Sequence, residues 1–346
     1  MAKRKYRVEV NYPKNKKPQY FLVKDVWYKG KKRKVKKYLG TVLPSENDIE
    51  RFSKEYSYEI ELRVAHKKAE FSSVTYESDF IPLDLVIQIE EIRHIYKTFT
   101  ELLTTNEIEV YERKFEVSYV QGTTSIEGNT FSLEEAYNLL VDGVSPNEKT
   151  LREINEIQNF RKVKYYRDKY KGKVTIDFIK MLHSLIMNNI DLDTAGIFRR
   201  IDDVAITGCE YNVTPSILIK DELEEIIEEY YQNIANAKFP FEQAVLFHYK
   251  LEMIHPFTDG NGRVGREILN YMIKKNEYPR LLFLGKDRDL YIKALQLGNK
   301  KNYADMVQIF VNLIISQRNE ILRENLRKVV IPPRKTGQMR ITEFGI

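Results

Sequence analysis

Cysteine is nearly absent: Cys209 is the only one in 346 residues. That excludes an intramolecular disulfide and a cysteine metal cage, and it suits a reducing compartment. Histidine occurs five times and tryptophan once, at Trp27, so a zinc site is not expected. No run reaches the roughly 18 apolar residues of a membrane helix. The first residues, MAKRKYRVEV, hold no apolar signal core. The expectation is a cytoplasmic protein with no membrane partner.

Acidic residues are scarce in one place. Residues 1–42 carry 15 Lys/Arg against 2 Asp/Glu, and the rest of the chain 41 against 48. The net charge of +6 thus hides a strongly basic leader and a mildly acidic body. A nucleic-acid or acidic-surface partner would belong to that leader. The bland alternative is a solvated basic sheet that docks on the body or on a target. A homodimer stays open.

What remains is an ordinary folded composition, 42% apolar and 31% charged. The leader alternates in Tyr6-Arg7-Val8-Glu9-Val10, in Tyr20-Phe21-Leu22-Val23 and in Val26-Trp27-Tyr28, with turn residues between. It predicts about three antiparallel strands ending near Gly40. From Pro44 the period becomes helical. Helices are expected over about 45–70, 82–103, 107–121, 132–142, 147–170, 175–189, 219–236, 240–254, 262–276, 288–298 and 302–326. Within segment 203–214, Val204-Ala205-Ile206 and Tyr211-Asn212-Val213 flank Thr207-Gly208-Cys209-Glu210 and suggest a hairpin. The expected division is a basic β segment at 1–42, a helical region at 43–105, a core at 106–326 and a basic tail at 327–346.

The stretch with most chemistry is Ile254-His255-Pro256-Phe257-Thr258-Asp259-Gly260-Asn261-Gly262-Arg263-Val264-Gly265-Arg266. It joins two apolar helical segments. Gly260, Asn261 and Gly262 lie at a helix entry, where unpaired N–H groups and the helix dipole favour an anion. Arg263 and Arg266 are three apart and share a helix face. Cations there oppose the dipole unless an anion lies between them. Asp259 is an oxygen ligand of the kind Mg²⁺ uses together with phosphates. His255 suits a general base. Phe257, between base and cradle, is expected to anchor the loop in the core.

The string from His255 to Arg266 resembles the signature of the Fic (Fido) family at every defined position. Ala195-Gly196-Ile197-Phe198-Arg199 is similar to the family's Gly-x-x-Arg element, and the resemblance covers about residues 110–326. It implies a mainly α fold with a helical core and a β-hairpin flap at about 203–214, including Thr207, Gly208, Cys209 and Glu210. It implies transfer of AMP from ATP to a Ser, Thr or Tyr hydroxyl of a protein, with Mg²⁺. In that scheme His255 is the base and Asp259 the metal ligand. Gly260, Asn261, Gly262, Arg263 and Arg266 hold the phosphates. Tyr291 and Asn299 border the nucleoside; the plain alternative for both is helix packing.

Upstream, Thr123 and Glu127 are four apart on one helix face, and Gly128 is a natural stop. An acid in a last turn works against the dipole, so Glu127 is either solvated or paired with a cation. Thr123-x-x-x-Glu127-Gly128 resembles the family's inhibitory helix, in the class where that helix precedes the core in the same chain. That implies a short helix at about 123–128, with Glu127 bridging to Arg266 and restraining a nucleotidyltransferase. The alternatives are a Fic-type deAMPylase, another nucleotidyl or phosphate transferase, or a nucleic-acid-binding regulator acting through 1–42 with a vestigial core.

Overall fold

The structure is a computed structural model that describes residues 6–202, 213–331 and 345–346. Three antiparallel strands come first: β1 (Arg7–Asn11), β2 (Gln19–Tyr28) and β3 (Lys31–Gly40). Helices follow as α1 (Glu46–Glu55), α2 (Ser57–Ser73), α3 (Leu83–Leu102), α4 (Thr105–Ile126), α5 (Leu133–Tyr137) and α6 (Leu151–Lys169). Then come α7 (Ile176–Ile186), α8 (Ile219–Ala235), α9 (Pro240–Ile254), α10 (Asn261–Lys275), α11 (Arg288–Asn299) and α12 (Tyr303–Val330). The fold is mainly α with a small N-terminal sheet, as expected. No helix among the described residues is long and apolar enough to cross a membrane.

The chain packs as two compact units. They are drawn along different lines from the sequence divisions at 42, 105 and 326. One unit holds residues 1–76, 82–111 and 315–346. There β2 is central, and Leu22 and Val26 pack with Val35, Ile60, Val64 and Tyr6. Lys24 is anchored on the buried Glu61 of α2 at 2.6 Å. A second apolar cluster joins Ile92, Ile95 and Phe99 to Tyr111, Leu322 and Leu326.

The other unit holds residues 77–81 and 112–314. Its centre is the packed pair α9 and α10, buried almost throughout. Pro240 opens α9, where a missing N–H costs nothing. Ser132 and Thr150 open α5 and α6, each in a reciprocal cap with the Glu three residues on. A buried ion cluster ties α4, α6 and α10 together. Arg167 donates to Glu116 at 2.9 Å and to Glu267 at 2.8 Å, and Arg280 donates to Glu116 at 2.8 Å.

Two helix expectations are corrected. The single helix over 45–70 is two, because Tyr56 leaves helical geometry (φ −98°, ψ 3°) and the Ser57 hydroxyl caps Lys54. The separate short helix expected at 123–128 is instead the last turn of the 22-residue α4, through Ile126, followed by a turn at Glu127 and Gly128. Gly122 does not break α4; a Cβ there would lie 2.3 Å from the carbonyl oxygen of Phe283. The flap residues Thr207, Gly208, Cys209 and Glu210 lie outside the described residues, as does most of the tail.

Candidate active site

The site is built by one loop between two helices. α9 ends at His255 in a left-handed conformation (φ 49°, ψ 59°), and α10 begins after Gly260 (φ 81°). The loop between is closed by its own side chains. The Asn261 amide donates to the Phe257 carbonyl at 2.7 Å and accepts from the Phe257 N–H at 2.9 Å. Phe257 is fully buried, as the sequence suggested, and stacks on His183 at 3.7 Å between centroids.

His183 lies on α7. It is buried, and it also positions the loop. Its Nδ1 accepts from the Gly196 N–H at 2.8 Å, so Nε2 carries the proton and donates to the Asp259 carbonyl at 2.9 Å. Burial pushes its pKa down to about 4, which keeps the ring neutral. Arg199 clamps the other flank. It donates to the carbonyl oxygens of His255 at 2.8 Å and Ile201 at 2.9 Å, and also to that of Thr214.

His255 is half-buried, and its Nδ1 lies 3.3 Å from the Glu252 carbonyl. A carbonyl only accepts, so that contact places the ring proton on Nδ1 and leaves the Nε2 lone pair free. Burial lowers the pKa of His255, which also favours the neutral ring.

Asp259 faces two arginines. It accepts from Arg263 at 3.0 Å and from Arg152 at 2.5 Å, and the Gly260 N–H donates to it at 2.6 Å. Burial opposes its charge, but Arg263, the Gly260 N–H and Arg152 prevail and hold its carboxyl below the ordinary range. Arg263 is buried and also donates to Glu156 at 3.1 Å. Glu156 accepts in turn from Arg152 and from Asn129, just past the end of α4.

Arg266 is fully buried. Its Nε donates to the Thr123 hydroxyl at 2.8 Å, and its Nη2 donates to the Thr123 carbonyl at 2.9 Å and to Glu127 at 2.6 Å. Desolvation works against the guanidinium, and Glu127 more than offsets it, so the pKa is raised. Burial likewise works against Glu127, and Arg266 keeps its pKa lowered. Gly262 makes the pair sterically feasible. A Cβ there would sit 2.5 Å from Glu127 Oε1 and 2.8 Å from Arg266 Nη1. Gly128, with φ 99°, ends the turn. Arg288 caps it, donating to the Ile126 carbonyl at 3.1 Å.

Tyr291 is buried behind Arg266, 5.4 Å from ring centroid to guanidinium carbon, with its hydroxyl 3.0 Å from His248 Nε2. Asn299 lies two turns further along α11 and accepts from the Tyr249 hydroxyl at 3.2 Å. So Tyr291 adjoins the loop residues through Arg266, while Asn299 bonds Tyr249. Sequence reading missed Arg152, Glu156 and Glu252, which carry no motif of their own.

The residues fit a polyphosphate. Arg263 Nε and Arg266 Nη1 are buried donors without a partner, and the first-turn amides of α10 lie beside them. No cluster of three or more His, Cys, Asp or Glu among the described residues could hold a metal. Asp259 alone fits the mode in which Mg²⁺ takes one carboxylate plus phosphate oxygens. A mainly helical fold that sets a histidine, a carboxylate and two buried arginines around one glycine-bearing loop has the make-up of a candidate group-transfer site. Residues 173–273 match the model of the Fic/DOC family, and the chain carries a Fic/DOC family domain.

Relatives and solved structures agree. The chain is 27% identical over 216 residues to protein adenylyltransferase fic-1 of Caenorhabditis briggsae, covering 61% of this chain and 42% of that one. It is 30% identical over 186 residues to the fic-1 protein of Caenorhabditis elegans, covering 52% of this chain and 36% of that one. The chain thus spans about two fifths of the length of these curated relatives. In fold it is similar to a solved fragment of Fic-1 from Caenorhabditis elegans, with TM-score 0.60, 20% identity, and 84% and 88% of the two chains covered. It is also similar to a Fic-domain signalling protein from Bacteroides thetaiotaomicron, with TM-score 0.58, 21% identity, and 69% and 96% covered.

Proposed function

We propose that the chain is a protein adenylyltransferase. It moves AMP from ATP to a Ser, Thr or Tyr hydroxyl of a protein, itself included. The observation that carries this reading is the single loop with a free imidazole lone pair at one end and buried, unpartnered guanidinium donors at the other. Its adenylyltransferase relatives point the same way.

In this reading His255 Nε2 takes the proton of the target hydroxyl. The hydroxyl oxygen bonds to the α-phosphorus, the bond to the pyrophosphate oxygen breaks, and pyrophosphate leaves. Gly260, Asn261 and Gly262 present backbone N–H groups to the phosphates, and Arg263 neutralises charge on the chain. Asp259 would hold Mg²⁺, which supplies further charge neutralisation. Such transfer depends on positioning and charge more than on covalent catalysis.

Arg266 belongs to the terminal phosphate. Thr123, Glu127 and Gly128 act as an inhibitory element of the same chain, because Glu127 occupies the cation that the phosphate needs. Tyr291 acts through Arg266, as the packing of its ring against the guanidinium suggests. The test is incubation of wild type, Glu127→Gly and His255→Ala with labelled ATP and Mg²⁺ in a cell lysate. Labelling should rise in Glu127→Gly and vanish in His255→Ala. Equal labelling by His255→Ala would sink the assignment, and intact mass separates AMP from phosphate adducts.

A further inference from the structure

The N-terminal sheet has two faces of different character. Leu22, Val26 and Val35 point into the core of their own unit. Pairing places Arg7 and Glu9 of β1, Phe21, Val23, Asp25 and Trp27 of β2, and Lys32, Lys34, Lys36 and Tyr38 of β3 on the opposite face. Trp27, the only tryptophan in the chain, is 60% exposed there, and Tyr38 is 48% exposed. An exposed indole on a sheet face contributes nothing to a core.

The charges on this face are ordered. Glu9 reaches across the central strand to Lys34 at 2.7 Å and Lys36 at 3.1 Å, and Asp25 bridges Arg7 and Lys32. This lattice lies over Val23, which is fully buried. Four cations share two carboxylates, so the face keeps an excess of positive charge. The aromatics are interleaved with it. Lys32 sits over Trp27 at 5.1 Å, Lys36 over Phe21 at 5.7 Å, and Phe21 lies 5.5 Å from Tyr38.

A second observation adjoins the first. A groove of about 370 Å³ runs beside β3, where Val35 and Leu62 lie among Lys34, Lys36, Arg63 and Lys67; Arg63 also pairs with Glu59 and Lys67 with Glu70, at 2.7 and 2.6 Å. Lys34 and Lys36 belong to both the groove and the face. A cationic channel that borders an aromatic platform matches what a single nucleic-acid strand needs: phosphates track the cations and bases stack on rings. An acidic protein surface would use the cations and leave the exposed indole without a role.

We propose that this sheet binds single-stranded nucleic acid, with bases stacked on Trp27, Phe21 and Tyr38 and phosphates held by Lys32, Lys34, Lys36 and the groove residues Arg63 and Lys67. The activity is separate from the nucleotide chemistry of the other unit and does not depend on it.

Trp27 is its own reporter. Full-length chain is titrated with single-stranded DNA and RNA of about 20 nucleotides, with the same DNA as duplex, and with heparin as a base-free polyanion. Indole fluorescence is followed at low and at raised salt. Single strands should quench Trp27 and duplex should bind several-fold more weakly. The logarithm of affinity should fall against that of salt with a slope of about −3.5, about −0.7 for each of five phosphates. Labelled-strand anisotropy should show Trp27→Ala weakened about ten-fold, with Trp27→Phe recovering most of it. Arg63→Ala with Lys67→Ala keeps the ion pairs of Glu9 and Asp25, removes the bond from Arg63 to the Lys36 carbonyl, and should weaken binding and flatten the slope. Melting curves show whether each variant folds. No quenching at low salt, duplex bound as tightly as single strand, or a folded Trp27→Ala that binds like wild type would each overturn the proposal. Heparin quenching equal to that by single strands would overturn it too.

Discussion

Arg266 and Glu127 are 139 residues apart in the chain, and their side chains meet at 2.6 Å. The guanidinium is fully buried, and the carboxylate comes from the turn directly after α4. A buried cation whose one acidic hydrogen-bond partner among the described residues follows a helix end can change partners, because a phosphate offers the same charge with more acceptor oxygens.

Glu127→Gly should raise self-labelling with ATP at least ten-fold. It should also lower the melting temperature in the absence of nucleotide by a few degrees, since Arg266 loses a charged hydrogen bond of about 1.5–3 kcal/mol. Nucleotide should restore part of that loss. Gel labelling and thermal melts with and without ATP check both halves.

Gly262→Ala tests whether the glycine serves the ion pair alone. Its Cβ would crowd both Glu127 Oε1 and Arg266 Nη1. If the pair were the whole story, the variant would behave like Glu127→Gly and gain activity. The methyl group also enters the cradle, so labelling should fall below wild type. The double variant with Glu127→Gly should stay inactive.

Arg152→Ala should ease metal binding. Arg152 holds Asp259 at 2.5 Å and is itself largely exposed, so a metal must displace it. Binding of Mn²⁺ in the presence of a non-hydrolysable ATP analogue, followed by its EPR signal, should tighten a few-fold. The Mg²⁺ needed for half-maximal labelling should fall in parallel, and chelation should abolish labelling in both proteins. Unchanged Mn²⁺ affinity would show that the ion pair costs the metal nothing.

Glu252 predicts a pH dependence of stability. Burial pushes its pKa up to about 7, opposed by Arg266 and assisted by Glu127. His248 Nδ1 lies 3.9 Å away, and a Cβ on Gly265 would touch the carboxylate. A raised folded-state value means the folded protein holds the proton more tightly than the unfolded chain. The contribution is complete below about pH 4.5 and is lost as pH rises through 7, with a size on the order of 3 kcal/mol. Glu252→Gln should remove that fall. Urea melts across the range would show its slope flattened, and an unchanged slope would rule the assignment out.

The loop proposed as catalytic was legible because its parts are contiguous. From His255 to Arg266, base, carboxylate, glycines and arginines follow one another between two apolar helices, so spacing alone brings them together. The strands and most helix ends were legible for the same local reasons, through alternation, caps and Pro240. Thr123 and Glu127 were legible only as one helix face. Their partner became clear through resemblance, because no local pattern links them to Arg266.

Arg152, Glu156, Glu252 and His183 were not legible as parts of the site. Each is one polar residue in a helix, and the same residue could equally be solvated. Glu156 becomes a junction between Asn129, Arg152 and Arg263 only once α6 lies against the loop. Gly262 and Gly265 held a signal, since glycine in a helix is costly without a close neighbour. The neighbours themselves could not be read from the chain.

The sequence by itself determined the helical body, the basic sheet and the chemical content of the loop, since these depend on residues close together along the chain. Only the tertiary structure decided which charges meet: Glu127 with Arg266, Arg152 with Asp259, Lys34 and Lys36 with Glu9 across β2. Hydrogen bonds and ion pairs act over a few ångströms, and burial sets their strength. Both quantities are products of packing, which brings together residues the chain keeps more than a hundred positions apart.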